Sequence, residues 1–494
     1  MTAIDLSNNK IDQVIFLSTL FPSLENVDLS DNHIGNLSKL EIHQLVRLKI
    51  LKLSNNIKLN IFNGLKSPSL EFLDLSHCFI KYFEENCTIG IPNVKKIDLS
   101  YNSFKKIIHL RSNSLEELDV SNGNLNYLTE EHLSQLPNLK KLNVSFSKNL
   151  DLYFQNESLC FEITEIDLSN LELKNLRLNS FCNLELANIS TNHISEIEET
   201  TFGNNTELIH LDLSKNDIYS VHKKSFSNTE KIRVLDLSYN FIQDVKFTMY
   251  LKNLANLNLS VNKIQGFHDM MLKNVVDLDV SHNKIYEIVA DFDKSIPKLE
   301  RLHLSYNLIE ILTRIKSKSI KYLDLSYCQI ISIKLYAFTD MRDLDELNLT
   351  GNKLVNLDYH VLAYNVNLKS VLLSHNPWSC DCNSEKFKNL YKFLLVNRTL
   401  TNGKDLRCIQ RLNETWVGIC AKEWHQENLS LTSRKTFYAL ISTFVMLLVI
   451  VVVFLVCRCL KKKRQEEESE SDDRDRDPVR YEPRDRSLSS HFDV

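Results

Sequence analysis

Apolar positions along this chain fall into one recurring frame. Ile232 to Ile242 reads I-R-V-L-D-L-S-Y-N-F-I, with Leu235 and Leu237 flanking Asp236. The same frame starts at Leu24, Leu48, Leu70, Val94, Leu115, Leu139, Ile163, Leu184, Leu208, Leu254, Val275, Leu299, Ile320, Leu344 and Leu368. A further copy opens the chain, with Ile4, Leu6, Asn9 and Ile11 in the same places. That makes seventeen units spaced by 21 to 24 residues. The alternation around Asp236 predicts a short strand with one buried face. Ile232 and Ile242 point into the same interior. Asn240 falls where the chain turns, and its amide can bond backbone groups that would otherwise lie unpaired.

A fixed period in this range predicts a solenoid, and L-x-x-L-x-L-x-x-N-x-L is the text of a leucine-rich repeat. The expected fold is an α/β solenoid: a horseshoe with a parallel concave sheet on one side and helical or irregular segments on the other. No unit buries its apolar face alone, so each needs both neighbours. Seventeen strands ~4.8 Å apart span roughly 80 Å, wide enough for a macromolecular partner.

The pattern changes after the repeats. Residues 1–378 are the array, 379–424 a cysteine-rich cap and 425–436 a linker. Residues 437–457 are a nearly unbroken apolar stretch, long enough for a membrane core that needs about 20 residues. Arg458, Lys461, Lys462, Lys463 and Arg464 follow it, whereas only Arg434 and Lys435 precede it closely. This asymmetry predicts a single-pass type I protein of the plasma membrane, with the repeats outside and the helix in contact with lipid. Met1 falls inside a repeat, with neither a signal segment nor a polar cap before the first strand, so an upstream beginning is expected. Residues 458–494 carry nine basic and eleven acidic groups from Lys461 onward and are expected to be disordered.

Candidate chemistry lies in columns of the repeat. One column carries Asp5, Asp28, Asp74, Asp98, Asp119, Asp167, Asp212, Asp236, Asp279 and Asp324. These are read as solvated carboxylates, not a metal ribbon, and as a negative stripe that steers a basic partner. A neighbouring column carries His77, Tyr101, Phe146, Tyr239, His282, Tyr306, Tyr327 and His375. Exposed aromatics are favoured interface anchors. Tyr306 and Tyr327, with Arg301, His303 and Tyr322 on the same expected face, are the candidate ligand site. An ordinary tolerance for Tyr on strand surfaces would produce the same pattern.

The array is irregular over Leu139–Leu173, where Ser147 and Leu171 replace the turn Asn. Cys160 and Cys182 flank this region one period apart. They are either a disulfide between adjacent coils or two separate thiols, which geometry decides. Cys78 and Cys328 stand in the turn-Asn position as structural substitutes, and Cys87 has no evident partner. Net charge is −4, which gives no support for a nucleic-acid surface. No nucleophile–base pattern, phosphate-binding glycine loop or catalytic metal cluster is evident, so neither an enzyme nor a cofactor is expected.

Eleven Asn-x-Ser/Thr sequons occur, at Asn36, Asn86, Asn143, Asn156, Asn188, Asn204, Asn258, Asn348, Asn397, Asn413 and Asn428. Each is a candidate glycosylation site of a secretory-pathway protein. Cys457 and Cys459, at the inner membrane boundary, are candidates for palmitoylation. The chain ends His491-Phe492-Asp493-Val494. Strand alternation sends Phe492 and Val494 to one side, which suits a cytoplasmic PDZ groove.

After the last repeat comes Asn376-Pro377-Trp378-Ser379-Cys380-Asp381-Cys382, with Cys408 and Cys420 later. Phe387, Leu390, Tyr391 and Leu394 follow at the spacing of an amphipathic helix that can cover the open end of the array. Four cysteines admit a zinc site or two disulfides, although C-x-C is not the usual zinc spacing. The segment resembles the C-terminal cysteine-rich cap of extracellular leucine-rich repeat proteins. That resemblance implies the pairs Cys380–Cys408 and Cys382–Cys420. The chain to about residue 457 resembles Toll-like receptor ectodomains and insect leucine-rich immune proteins, and equally the adhesion and neuronal-recognition proteins with such repeats. The resemblance implies a cell-surface receptor or co-receptor for a protein or pathogen-derived ligand, pairing with itself or a relative through the array. The adhesion role is the alternative. No Toll/interleukin-1 receptor domain follows the apolar stretch, so signalling through one is not expected.

Overall fold

The structure is a computed structural model. It describes residues 1–15, 20–148, 150–154, 159–288, 291–379, 381–382, 384–396, 407–408, 411–415, 436, 438–453 and 456–458. The chain divides into two compact units, Met1–Val417 and Gly418–Val494.

The first unit is a parallel-strand solenoid, consistent with a leucine-rich repeat horseshoe. Its long sheet has 17 strands of three residues, one per repeat. Each strand pairs in parallel with the next in sequence, and equivalent residues face each other, as in Leu235 opposite Leu257. The middle residue of a strand points inward. Leu211, Leu235 and Leu257 are almost fully buried, and the residues on either side face solvent or lie half-buried. Register is therefore fixed by the apolar pattern, because a one-residue slip would turn the leucines outward.

The turn asparagines join the coils. Asn240 is 5% exposed. Its Nδ2 donates to the carbonyls of Leu237 and Ser238 in its own coil and of Leu213 in the preceding one, at 3.0–3.1 Å. Its Oδ1 accepts from the Ile218 amide, also of the preceding coil, at 2.9 Å. Asn56, Asn102, Asn216, Asn262, Asn283, Asn307, Asn352 and Asn376 repeat this arrangement. Buried backbone groups are thereby satisfied where no strand could reach them.

Substitutes in this position work differently. Cys78 and Cys328 donate their thiols to carbonyls just past the preceding coil's strand, Leu53 at 3.1 Å and Leu304 at 3.0 Å. Burial pushes both thiols up to about 12, so they remain protonated donors. The residue after each takes a left-handed conformation (Phe79 φ 61°, Gln329 φ 67°), as does Glu172 after Leu171 (φ 62°). In all three coils the substituent's own amide donates to the next coil's Asn: Asn102, Asn352 and Asn192. Gly123, one coil before the irregular region, is a further substitute ahead of Ser147 and Leu171, so three consecutive coils lack the asparagine.

The other side of the coils is held by aromatic packing and short strand pairs. Phe62, Phe83 and Phe104 pack edge to face along successive coils, and Phe202, Phe226 and Phe247 continue the row further on. Ile61–Phe62 pairs with Tyr82–Phe83, and Tyr127–Thr129 with Asp151–Tyr153.

Beyond the last coil, Trp378 is buried and its indole N–H donates to the Leu373 carbonyl at 2.9 Å. Helix Glu385–Val396 buries Phe387 and Leu390 and sets Phe393 6.3 Å from the Tyr359 ring. The Tyr391 and Leu394 side chains lie outside the described residues. Cys408 is buried in a short antiparallel pair with Arg411–Thr415. Cys382 and Cys408 are both disulfide-bonded. Their expected partners Cys420 and Cys380 lie outside the described residues.

In the second unit, Tyr438–Arg458 is a 21-residue helix long and apolar enough to cross a membrane by length and composition. Its Ser442 and Thr443 hydroxyls donate to the carbonyls of Ala439 and Leu440, so neither needs a partner outside the helix. Cys457 is an exposed free thiol near its end. Cys459, Phe492 and Val494 lie outside the described residues.

Candidate ligand-binding face

The aromatic column does not lie on the strands. Each member sits three residues past its strand, in the turn that leaves the sheet. Asn8, Asp31, Asn55, His77, Tyr101, Asn122, Phe146, Asn170, Thr191, Lys215, Tyr239, Val261, His282, Tyr306, Tyr327, Gly351 and His375 all have φ between 53° and 70°. One such residue occurs per coil, and only Gly351 is a glycine. The backbone here must bend sharply while its amide still donates to the next coil, as Tyr239 does to Ser260 at 2.9 Å. A left-handed residue allows both, and the repeated inter-coil bonds offset its steric cost.

That geometry stacks the side chains. His282 and Tyr306 rings lie 4.2 Å apart at 11°, and Tyr306 and Tyr327 lie 4.7 Å apart at 10°. His77 and Tyr101 make a second, shorter stack at 4.0 Å. The Tyr327 ring in turn lies over Gly351, where an added Cβ would fall 2.4 Å from two ring carbons. The three-ring shelf therefore requires the array's one left-handed glycine at its end. Tyr306 and Tyr327 remain 47% and 40% exposed, so their edges are free for contact. Sequence reasoning named the two tyrosines but missed Gly351. The available signal was a glycine in an otherwise non-glycine column, one period after Tyr327.

Arg301, His303 and Tyr322 lie on the strands beside this shelf, Arg301–His303 and Tyr322–Asp324. Asp277 on the preceding strand holds the first two: Arg301 Nε donates to it at 2.8 Å, and His303 Nε2 is 3.5 Å away. The His303 and Tyr322 rings are 5.0 Å apart. Burial, and then the carboxylates of Asp324, Glu346 and Asp279, raise the Tyr322 phenol above its usual value, so it stays a neutral donor. The strand residues form one contiguous group and the stacked rings another on the same coils.

The aspartate column is less free than solvated carboxylates would be. One oxygen of each Asp accepts the amide of the Ser two residues on, as in Asp236 with Ser238 at 2.8 Å. The second oxygen of Asp119, Asp167 and Asp236 accepts Nδ2 of Asn143, Asn188 and Asn258 on the next strand. Those three asparagines are strand sequons, and so is Asn348, whose Oδ1 accepts the Thr350 amide. Asn36 is half-buried, whereas Asn86 and Asn204 are exposed. Asn413 is in strand Arg411–Thr415 with its side chain outside the description, as are Asn156, Asn397 and Asn428 altogether.

A hollow of about 540 Å³ opens on the sheet between Lys96 and Asp212. Its cations are paired across strands, Lys96 with Glu117 at 3.0 Å and Lys141 with Glu165 at 2.8 Å. Exposed pairs of this kind contribute little stability and are screened by salt. Among the described residues no group of three or more His, Cys, Asp or Glu side chains could hold a metal ion. Cys160 and Cys182 are joined as a disulfide between adjacent coils, with Cα atoms 5.5 Å apart. Cys87 is a buried free thiol.

The leucine-rich repeat family profile matches residues 182–242 and 318–377. No curated protein matches the chain. Among solved structures, a leucine-rich repeat protein of Leptospira interrogans is 23% identical, with TM-score 0.55, over 80% of this chain and 94% of that one. The TLR13–ssRNA13 complex is 18% identical, with TM-score 0.45, over 79% and 80%. The mouse RP105/MD-1 complex is 16% identical, with TM-score 0.41, over 84% and 97%. The Leptospira protein and the matched profile carry the conclusion that this chain has the leucine-rich repeat fold.

Proposed function

We propose that the protein is a single-pass cell-surface receptor or co-receptor that binds a protein or pathogen-derived ligand on its repeat array, in innate defence. The observation that carries this reading is the exposed shelf of His282, Tyr306 and Tyr327. Its rings are already stacked, so a ligand need not freeze their rotamers on docking, and this spares part of the entropy cost of association. Arg301, oriented by Asp277, adds a charge-assisted donor beside it, with the His303 ring next to it. Lipid contact through helix Tyr438–Arg458, the cap disulfides Cys380–Cys408 and Cys382–Cys420, and a PDZ partner at Phe492 and Val494 belong to the same reading. Leucine-rich repeats are interaction scaffolds, which agrees with a binding role.

The test places a photo-crosslinking benzoylphenylalanine at position 306 of the full chain on living cells. A secreted or surface protein captured there identifies the ligand, and the combined Tyr306→Ala and Tyr327→Ala variant should bind it more weakly by more than ~1 kcal/mol. Capture of nothing, or an affinity unchanged by the double substitution in a correctly folded protein, removes this site.

A further inference from the structure

A second candidate surface lies away from the long sheet. The row of short strand pairs on the far side of the coils is interrupted. Tyr82–Phe83 pairs with Ile61–Phe62 in a two-stranded sheet and stops there. The following coil passes through Lys105, Lys106 and Ile108 without forming a strand. The row resumes one coil later with Tyr127–Thr129, which pairs onward with Asp151–Tyr153. The interruption leaves a groove of about 520 Å³ between Tyr82–Phe83 and the following coil.

The groove combines three features. Its wall is apolar: Tyr82 is 67% and Ile108 40% exposed, and Phe83 continues the surface inward. Its rim is cationic, with Lys81, Lys105 and Lys106, all exposed. Some other lysines face acids on a neighbouring coil, as Lys321 does Glu300 of the preceding one at 2.9 Å. These three form no salt bridge among the described residues, and Lys106 rests instead 5.4 Å from the Tyr127 ring centroid. The third feature is the edge of Tyr82–Phe83 away from Ile61–Phe62, with which no other strand among the described residues pairs.

We propose that this groove binds an extended acidic peptide segment of a protein partner, with its backbone along the Tyr82–Phe83 edge, its apolar side chains against Ile108 and its carboxylates on the three lysines. Strand addition supplies backbone bonds, and alternation sends apolar and acidic side chains to opposite sides, as the wall and rim require. A sulfated glycan would meet the lysines but gain nothing from the apolar wall. An anionic lipid would meet both but leave the strand edge unused. The surface is independent of the aromatic shelf.

The test uses the purified full-length chain in detergent and fluorescence anisotropy. The probe is a fluorescein-labelled octapeptide of alternating glutamate and valine. It should bind, and the combined Lys105→Glu and Lys106→Glu variant should weaken it at least tenfold. An alternating glutamate–serine peptide should bind at least tenfold more weakly than the probe, and so should a glutamate–valine peptide methylated on alternate backbone amides. Combined Tyr306→Ala and Tyr327→Ala should leave probe affinity unchanged, which separates this site from the shelf. The proposal is overturned if the probe does not bind, if the lysine variant binds it equally, or if the serine or methylated peptide binds as well. Direct binding of phosphatidylglycerol vesicles or heparin fragments, lost in the lysine variant, with no probe binding, would overturn the proposal and assign the groove to lipid or glycan instead.

Discussion

At the scale of single residues, the turn asparagine carries more than its own bulk. Asn240 satisfies Leu213 and Leu237 carbonyls and the Ile218 amide, all in the interior. Asn240→Ala strands those groups without water, and a buried unsatisfied group costs about 1–3 kcal/mol. The loss should be on the order of 3 kcal/mol, read as a lower urea midpoint for the ectodomain transition. Asn240→Cys should cost less than half as much, because Cys78 and Cys328 show that a thiol reaches the preceding coil's carbonyl. Equal losses in the two variants would mean that side-chain volume, and not the donor, decides this position. The asparagine was plain in the sequence as a turn residue, but its bonds to the neighbouring coil were not. They join residues 22 to 27 apart, a distance that no local propensity encodes.

At the scale of elements, the region from Leu115 to Leu173 is the weakest part of the ladder. Gly123, Ser147 and Leu171 stand in for three consecutive asparagines, and the Ser147 hydroxyl is buried without a partner. The Cys160–Cys182 disulfide closes a loop of separation 22 that spans the end of this region. Loop-closure entropy predicts about 3 kcal/mol from such a cross-link. Replacing both cysteines by serine should therefore speed amide exchange in residues 139–190 while leaving residues 232–378 protected, as measured by hydrogen exchange and mass spectrometry. A uniform change along the array would show that the cross-link does not act locally. The sequence marked the irregular text and the one-period cysteine spacing. Whether the two thiols met depended on how adjacent coils stack, which only the assembled solenoid provides.

At the scale of the whole array, each coil depends on its neighbours, so damage should spread from an end. Trp378 and helix Glu385–Val396 bury the far side of the last coil. Trp378→Ala removes a fully packed indole, a change that costs about 3–5 kcal/mol in a core. Because the array is quasi-one-dimensional, the loss should appear as fraying of the coils nearest the cap. Exchange should rise over residues 344–378 and fall back to the wild-type rate before residue 232. Loss of protection throughout would mean that the array unfolds as one cooperative block.

The sequence alone determined the architecture. A period of 21 to 24 residues, an apolar pair around each strand-end polar residue and an asparagine at most turns leave one way to bury the apolar face, by stacking coils in parallel. It also marked the aromatic column and the long apolar stretch, since both are periodic or continuous in one dimension. Tertiary structure decided what these residues touch. The aromatic column proved to be a line of left-handed turns and not a strand row, because each turn amide must reach the next coil. The shelf of His282, Tyr306 and Tyr327 ends on Gly351, and the groove at Tyr82–Phe83 exists because one coil fails to continue a strand row. Both depend on contacts between residues a full period apart. The sequence aligns such residues in columns but does not set the distances and angles between them.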